Sequence, residues 1–149
     1  MNDLNEKSKK ISHKLNSNIN QIIYETKKYL DTFKKEDFFN FSNSTTKKEY
    51  YNSQYFLFVA NLNVCIHELN ENISAISSLM IDADRSMEHD LSLYLKTVFD
   101  YNTAFEKELY EYTLITEKEL KKEQPSISIL FDSAKAFLAV ALAFKKSLS

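Results

Sequence analysis

The chain contains no glycine. Tight turns at positive φ, nucleophile elbows and phosphate-cradling loops all draw on the one residue that has no Cβ, so hairpin-rich folds and Gly-rich nucleotide loops are closed to this sequence. A single proline, Pro125, leaves almost nothing to interrupt a helix. An all-α fold follows. The 149 residues suffice for one domain with a real core, residues 1–149, and are short for a two-domain enzyme.

Hydrophobic periodicity divides the chain into four helical segments. Asp3 and Glu6 have the spacing of a capping box, after which Ile11, Leu15, Ile19, Ile22, Leu30 and Phe33 recur at helical intervals over about 4–35. A polar stretch rich in Asn, Ser and Thr follows, a loop at 36–46. Thr46 and Glu49 repeat the capping-box spacing and open the stripe Tyr51, Tyr55, Phe58, Leu62, Cys65, Leu69, Ile73, Ile76, Met80, a helix over 47–81. A third stripe, Met87, Leu91, Tyr94, Val98, Tyr101, Phe105, Leu109 and Tyr112, places a helix over 86–122 that Pro125 ends. The last, 126–147, is shorter and apolar nearly all round in its second half. The expected architecture is an antiparallel bundle of about four helices, three long and one short. Its alternative is an extended, coiled-coil-like hairpin, because the phase is nearly kept through Met80, Ala83 and Met87, which would allow one central helix of about 75 residues and about 110 Å.

The second helix has an unusual back. Between Tyr51 and Met80 there is no Lys or Arg and the only acids are Glu68 and Glu71, while the face opposite the apolar stripe carries Asn52, Gln54, Asn61, Asn63, Asn70, Ser74 and Ser77. Exposed helix faces are normally charged. A neutral polar back therefore predicts a helix covered on both sides, by the last helix, by the loop or by a second chain. Nine tyrosines and eleven phenylalanines exceed what one core of this size needs, so Phe38, Phe39, Phe41 and Tyr50, in or beside the loop, join Asn52, Asn61, Asn63 and Asn70 as partner-binding candidates.

Charge and cysteine usage narrow the class further. The net charge of −2 argues against nucleic acid as the partner, although residues 1–50 carry +3 and residues 51–149 carry −5. The polar start does not read as a secretory signal. The longest purely apolar run, nine residues at 136–144, falls short of the roughly 20 that cross a bilayer, so no membrane partner and a cytoplasmic location are expected. The lone Cys65 lies on an apolar stripe and reads as a buried thiol.

Only "RSMEH", residues 85–89, suggests chemistry. It holds the single arginine, Arg85, and His89 four positions on, a spacing that puts both on one face of a continuous helix, where Arg85 could stabilise a phosphorane and His89 move a proton. This segment distantly resembles the HEPN family of small all-α ribonucleases, which use an Arg and a His with four to six residues between. Here three intervene, and the polar residue after the arginine is only Ser86. The resemblance implies a metal-independent ribonuclease using Arg85 and His89, and it is confined to this segment. The plainer reading is a solvated turn between helices, with Asp82 and Asp84 at a helix start. Metal ligation has little support: His67 and Glu71 stand four apart beside Glu68, but no Glu-x-x-His occurs and zinc spacing is missing. His13, on the Lys-rich first helix, reads as a surface residue.

The residues thus point to a protein without catalytic activity, cofactor or metal, which acts by binding another protein or a second copy of itself through a helical surface. Adaptor, secretion chaperone, immunity protein and phage- or mobile-element-encoded inhibitor all fit that description. The alternatives are the ribonuclease and a membrane-active bundle built on the last helix.

Overall fold

The computed structural model describes residues 2–34 and 44–148. Four helices account for nearly all of them: α1 (Asn2–Lys34), α2 (Ser44–Arg85), α3 (His89–Leu120) and α4 (Ile127–Ser147). There is no strand among the described residues. α1 packs against α2 and α4, and α3 packs against the same two, while the diagonal pairs scarcely meet, so the helices stand at the corners of a square in up-down-up-down order.

Two of the expected starts fall inside helices. α1 begins before Asp3, whose carboxylate pairs with Lys7 one turn on at 3.2 Å, and α2 begins two residues before Thr46. At α4 the cap is real: Ser126 Oγ accepts from the Ile129 N–H at 3.4 Å, and the Ser126 N–H itself donates to Glu119 Oε1 at 2.7 Å. Lys122 sits 2.9 Å from the other Glu119 oxygen, and these two partners hold the carboxyl below its ordinary range.

The α2/α3 boundary also moves. Helix α2 runs to Arg85, four residues beyond the expected end, because Ala83 is fully buried and extends the stripe. The long-helix alternative fails at Met87, whose φ is 61°. The Glu88 N–H bonds to the Ala83 carbonyl at 2.9 Å and the Met87 N–H to the Asp84 carbonyl at 3.2 Å, the two bonds of a Schellman ending. That motif asks for glycine at its left-handed position. Having none, the chain places an unbranched side chain there, exposed to solvent.

In cross-section the core is aromatic at one end and aliphatic at the other. Tyr29 of α1 stacks on Phe58 of α2 at 4.6 Å between centroids, Phe58 meets the edge of Tyr112 of α3 at 6.3 Å, and Tyr112 stacks on Phe137 of α4 at 5.2 Å. Phe33, Tyr51 and Phe131 continue the cluster. Toward the α2/α3 turn, Leu15, Ile19, Ile22, Leu69, Ile76, Leu95 and Val98 replace it. The third stripe is partly corrected: Met87 and Tyr101 are exposed, and Leu95 and Asn102 are buried in their stead. A strict alternation of four and three drifts relative to 3.6 residues per turn, and Leu95 and Asn102 lie where the true helix faces inward.

The hydroxyls of Tyr29, Tyr55, Tyr112 and Thr116 are buried together without a full hydrogen bond. Desolvation, aided by Glu117, pushes the Tyr55 phenol from 10.0 up to about 12; burial raises Tyr29 and Tyr112 further still. Below pH 10 both folded and unfolded chains keep these protons. Above it the unfolded chain loses protons the folded chain holds, so stability falls with pH, by about 3 kcal/mol per pH unit from Tyr29 and Tyr112 together. Alkaline titration should therefore give a steep unfolding transition above pH 10 in which the tyrosinate absorbance of the buried phenols, taken as the difference from variants with Tyr29 or Tyr112 replaced by Phe, rises in step with loss of helical circular dichroism; ionisation of these phenols ahead of unfolding would refute the buried cluster. Met87→Gly should raise stability by about 1 kcal/mol in urea denaturation, since it relieves the left-handed strain, whereas Met87→Ala should not.

Candidate interaction surface

The apolar stripe of α2 is buried from Tyr51 to Ala83, and its two flanks meet α1 and α3. The inner edge of the polar back is claimed by α1. Asn18, itself buried, donates to Glu68 at 3.1 Å and accepts from Asn72 at 2.6 Å, and Asn61 donates to Glu25 at 3.3 Å. Tyr50, expected at a partner surface, is instead half-buried between α1 and α2, where its hydroxyl donates to the Thr32 carbonyl at 3.1 Å and its ring lies edge-on to Tyr51 at 5.0 Å. The Asn61 side chain is likewise turned to α1.

Beyond that edge the back of α2 is open. α4 stands at the diagonal corner and does not cover it, so the expectation that the last helix does so is corrected: α4 is too far round the bundle to reach. Asn52, Asn63 and Asn70 are exposed, as are three apolar side chains that lie off the buried stripe, Phe56 (78% exposed), Leu57 and Val64. Lys48 Nζ donates to the Lys121 carbonyl at 3.3 Å, and at the other end Ser92 Oγ donates to Asp84. This antiparallel register brings exposed Tyr110 and Leu114 of α3 level with Asn63 and Phe56. The result is a strip along α2 free of Lys and Arg, with large apolar side chains set among asparagines and the His67–Glu71 pair beside its far end. Its signal in the sequence was present: Phe56, Leu57 and Val64 lie off the helical stripe inside the stretch that has no Lys or Arg. Phe38, Phe39 and Phe41 lie outside the described residues.

The residues considered for chemistry are scattered. Arg85 ends α2 and His89 begins α3, both exposed, with the reversing turn between them, so the shared helical face that their spacing implied does not exist. Asp82 and Asp84 fall in the last turn of α2 and not at a helix start. His67 pairs with Glu71 at 3.2 Å on the exposed face of α2. Among the described residues no three His, Cys, Asp or Glu side chains gather as a metal site would require. Cys65 is buried, and desolvation first, then Glu25 and Glu68, push its thiol up, away from the thiolate a nucleophile needs. α4 is long and apolar enough by length and composition to cross a membrane; in this fold it packs against α1 and α3 and buries Leu130, Ala134, Phe137, Ala141 and Phe144.

No family model matches the chain, and no curated protein or solved structure does.

The polar ties between α1 and α2 have a measurable consequence. Asn18→Ala strips a buried bridge from Glu68 and Asn72 and should cost about 1–3 kcal/mol in urea denaturation, while Asn63→Ala on the open strip should cost under about 0.5 kcal/mol.

Proposed function

We propose that the protein is a binding module without catalytic activity, which engages another protein or a second copy of itself through the outer strip of α2 and the adjoining edge of α3. The single observation that carries this reading is the exposure of Phe56, Leu57 and Val64 on a helix face free of Lys and Arg. Large apolar side chains set among neutral amides are cheap to desolvate, whereas the lysines and glutamates that cover most helix backs are not. Tyr110 and Leu114 widen the strip beyond a single helix and supply the aromatic anchor on which interfaces commonly rest. A role as adaptor, chaperone, immunity protein or inhibitor is consistent with such a surface.

Phe56→Lys and Asn63→Lys test the proposal. Both residues are exposed, so the monomer's melting temperature should hold, while association, read as self-association in sedimentation velocity or as binding to a captured partner, should weaken by about 1–3 kcal/mol. Unchanged association in both variants would remove α2 as the interface and move the search to the charged faces of α1 and α3.

A further inference from the structure

α4 has 21 residues where α1 has 33 and α3 has 32. Phe144 near its C-terminus packs on Phe105, midway along α3, so about the first 12 residues of α1 and of α3 run on past its end, some 18 Å of groove left uncovered. Beyond that end α1 and α3 approach each other across the diagonal, and Ser12 Oγ and the Tyr94 hydroxyl are 2.8 Å apart. The space so formed is a cleft of about 870 Å³, within the usual range for a site that holds a small molecule.

Its lining is chemically one-sided. Lys9 and His13 from α1 face Lys145 and Lys146 from the last turn of α4, and the Ser12–Tyr94 hydroxyl pair lies between. Asn5 and Asn16 add amide donors at either end, and Ser8 is buried in the wall. Among the described residues no acidic side chain lines the cleft, although acids outnumber bases in the chain as a whole. Of the two acids near the start of α1, Asp3 is engaged with Lys7, and Glu6 is not among the residues that line the cleft. In the Ser12–Tyr94 pair only one hydroxyl proton is used between the two oxygens, which leaves the other free to donate outward.

From this we infer that the end cleft between α1 and α4 binds a small anion bearing two or more phosphate groups. Converging lysines, with Lys9 on one wall and Lys145 on the other and neutral donors between, match the oxygens of a polyphosphate, and they act through side chains, as a chain without glycine must. The site lies at a different corner of the bundle from the outer strip of α2 and does not depend on it. Two sources present this chemistry, a soluble polyphosphate and a polyphosphorylated lipid headgroup, and exposed Leu142 at the cleft's edge is compatible with either.

Isothermal titration with inorganic tripolyphosphate at low ionic strength is the primary test. The full chain should bind it; Lys9→Gln combined with Lys145→Gln should lower affinity at least about tenfold, and Lys9→Arg with Lys145→Arg should restore most of it. Lys27→Gln with Lys28→Gln, an exposed pair farther along α1, removes the same charge and should change affinity less than about twofold. All four lysines are exposed, so helical circular dichroism and melting temperature serve as the folding control. Flotation with phosphatidylcholine vesicles carrying phosphatidylinositol bisphosphate separates the sources: vesicle binding lost in the Lys9/Lys145 variant assigns a headgroup, and tripolyphosphate binding without vesicle binding assigns a soluble anion. Absence of both, or equal losses from the two glutamine pairs, would overturn the site.

Discussion

The ring contacts of Tyr29, Phe58, Tyr112 and Phe137 hold the bundle to one arrangement, because each helix contributes one of the four. An aliphatic core tolerates sliding and rotation of helices at little cost, since its contacts are non-directional. Two stacked pairs joined by an edge contact fix the relative height of all four helices as well as their facing. Truncating such a ring removes on the order of 3–5 kcal/mol, a large part of what a domain of this size has to spare. The hydroxyls buried with the rings add specificity at some cost in stability, as polar groups in a core commonly do.

Once the aromatic end sets the heights, the unequal helix lengths determine what is left over. α3 turns into α4 at the aromatic end, where Glu119 is tied to the Ser126 N–H and to Lys122, so the short helix is anchored there and all of its shortfall appears at the far end. The remaining residues of α1, α2 and α3 form a three-helix section, and the side of α1 that α4 would have covered carries Ser8, Ser12 and Asn5 in place of apolar residues. The lysines that close α4 suit the negative end of its dipole and also overhang this uncovered polar wall. One local preference of the chain thereby lines a cleft that spans three helices.

A different division of labour governs α2. Its stripe is buried, its inner flank is bound to α1 through Asn18, Glu68, Asn72, Glu25 and Asn61, and its outer flank faces solvent without Lys or Arg. Amides satisfied across an interhelical seam fix register, since a slip of one turn would separate Asn18 from Glu68 and Asn72 alike. Asparagines of the same type little more than half a turn away have no such task, which is why composition alone did not distinguish Asn61 from Asn63.

The sequence by itself determined the helical class, the number of helices, most of the buried faces of α1 and α2 and the burial of Cys65, because these depend on local propensity and on a 3.6-residue period that any single segment displays. It also revealed the unusual back of α2, because the scarcity of charge is a property of one stretch of chain. Only the tertiary structure decided that α2 ends at a left-handed methionine, that Arg85 and His89 part across a turn, and that Tyr50 and Asn61 belong to α1 while Phe56 and Val64 stand in solvent. It alone joined Lys9 and His13 to Lys145 and Lys146, some 130 residues away. Those outcomes turn on which helix occupies which corner and how far along its neighbours it reaches, and neither is written in the periodicity of any one helix.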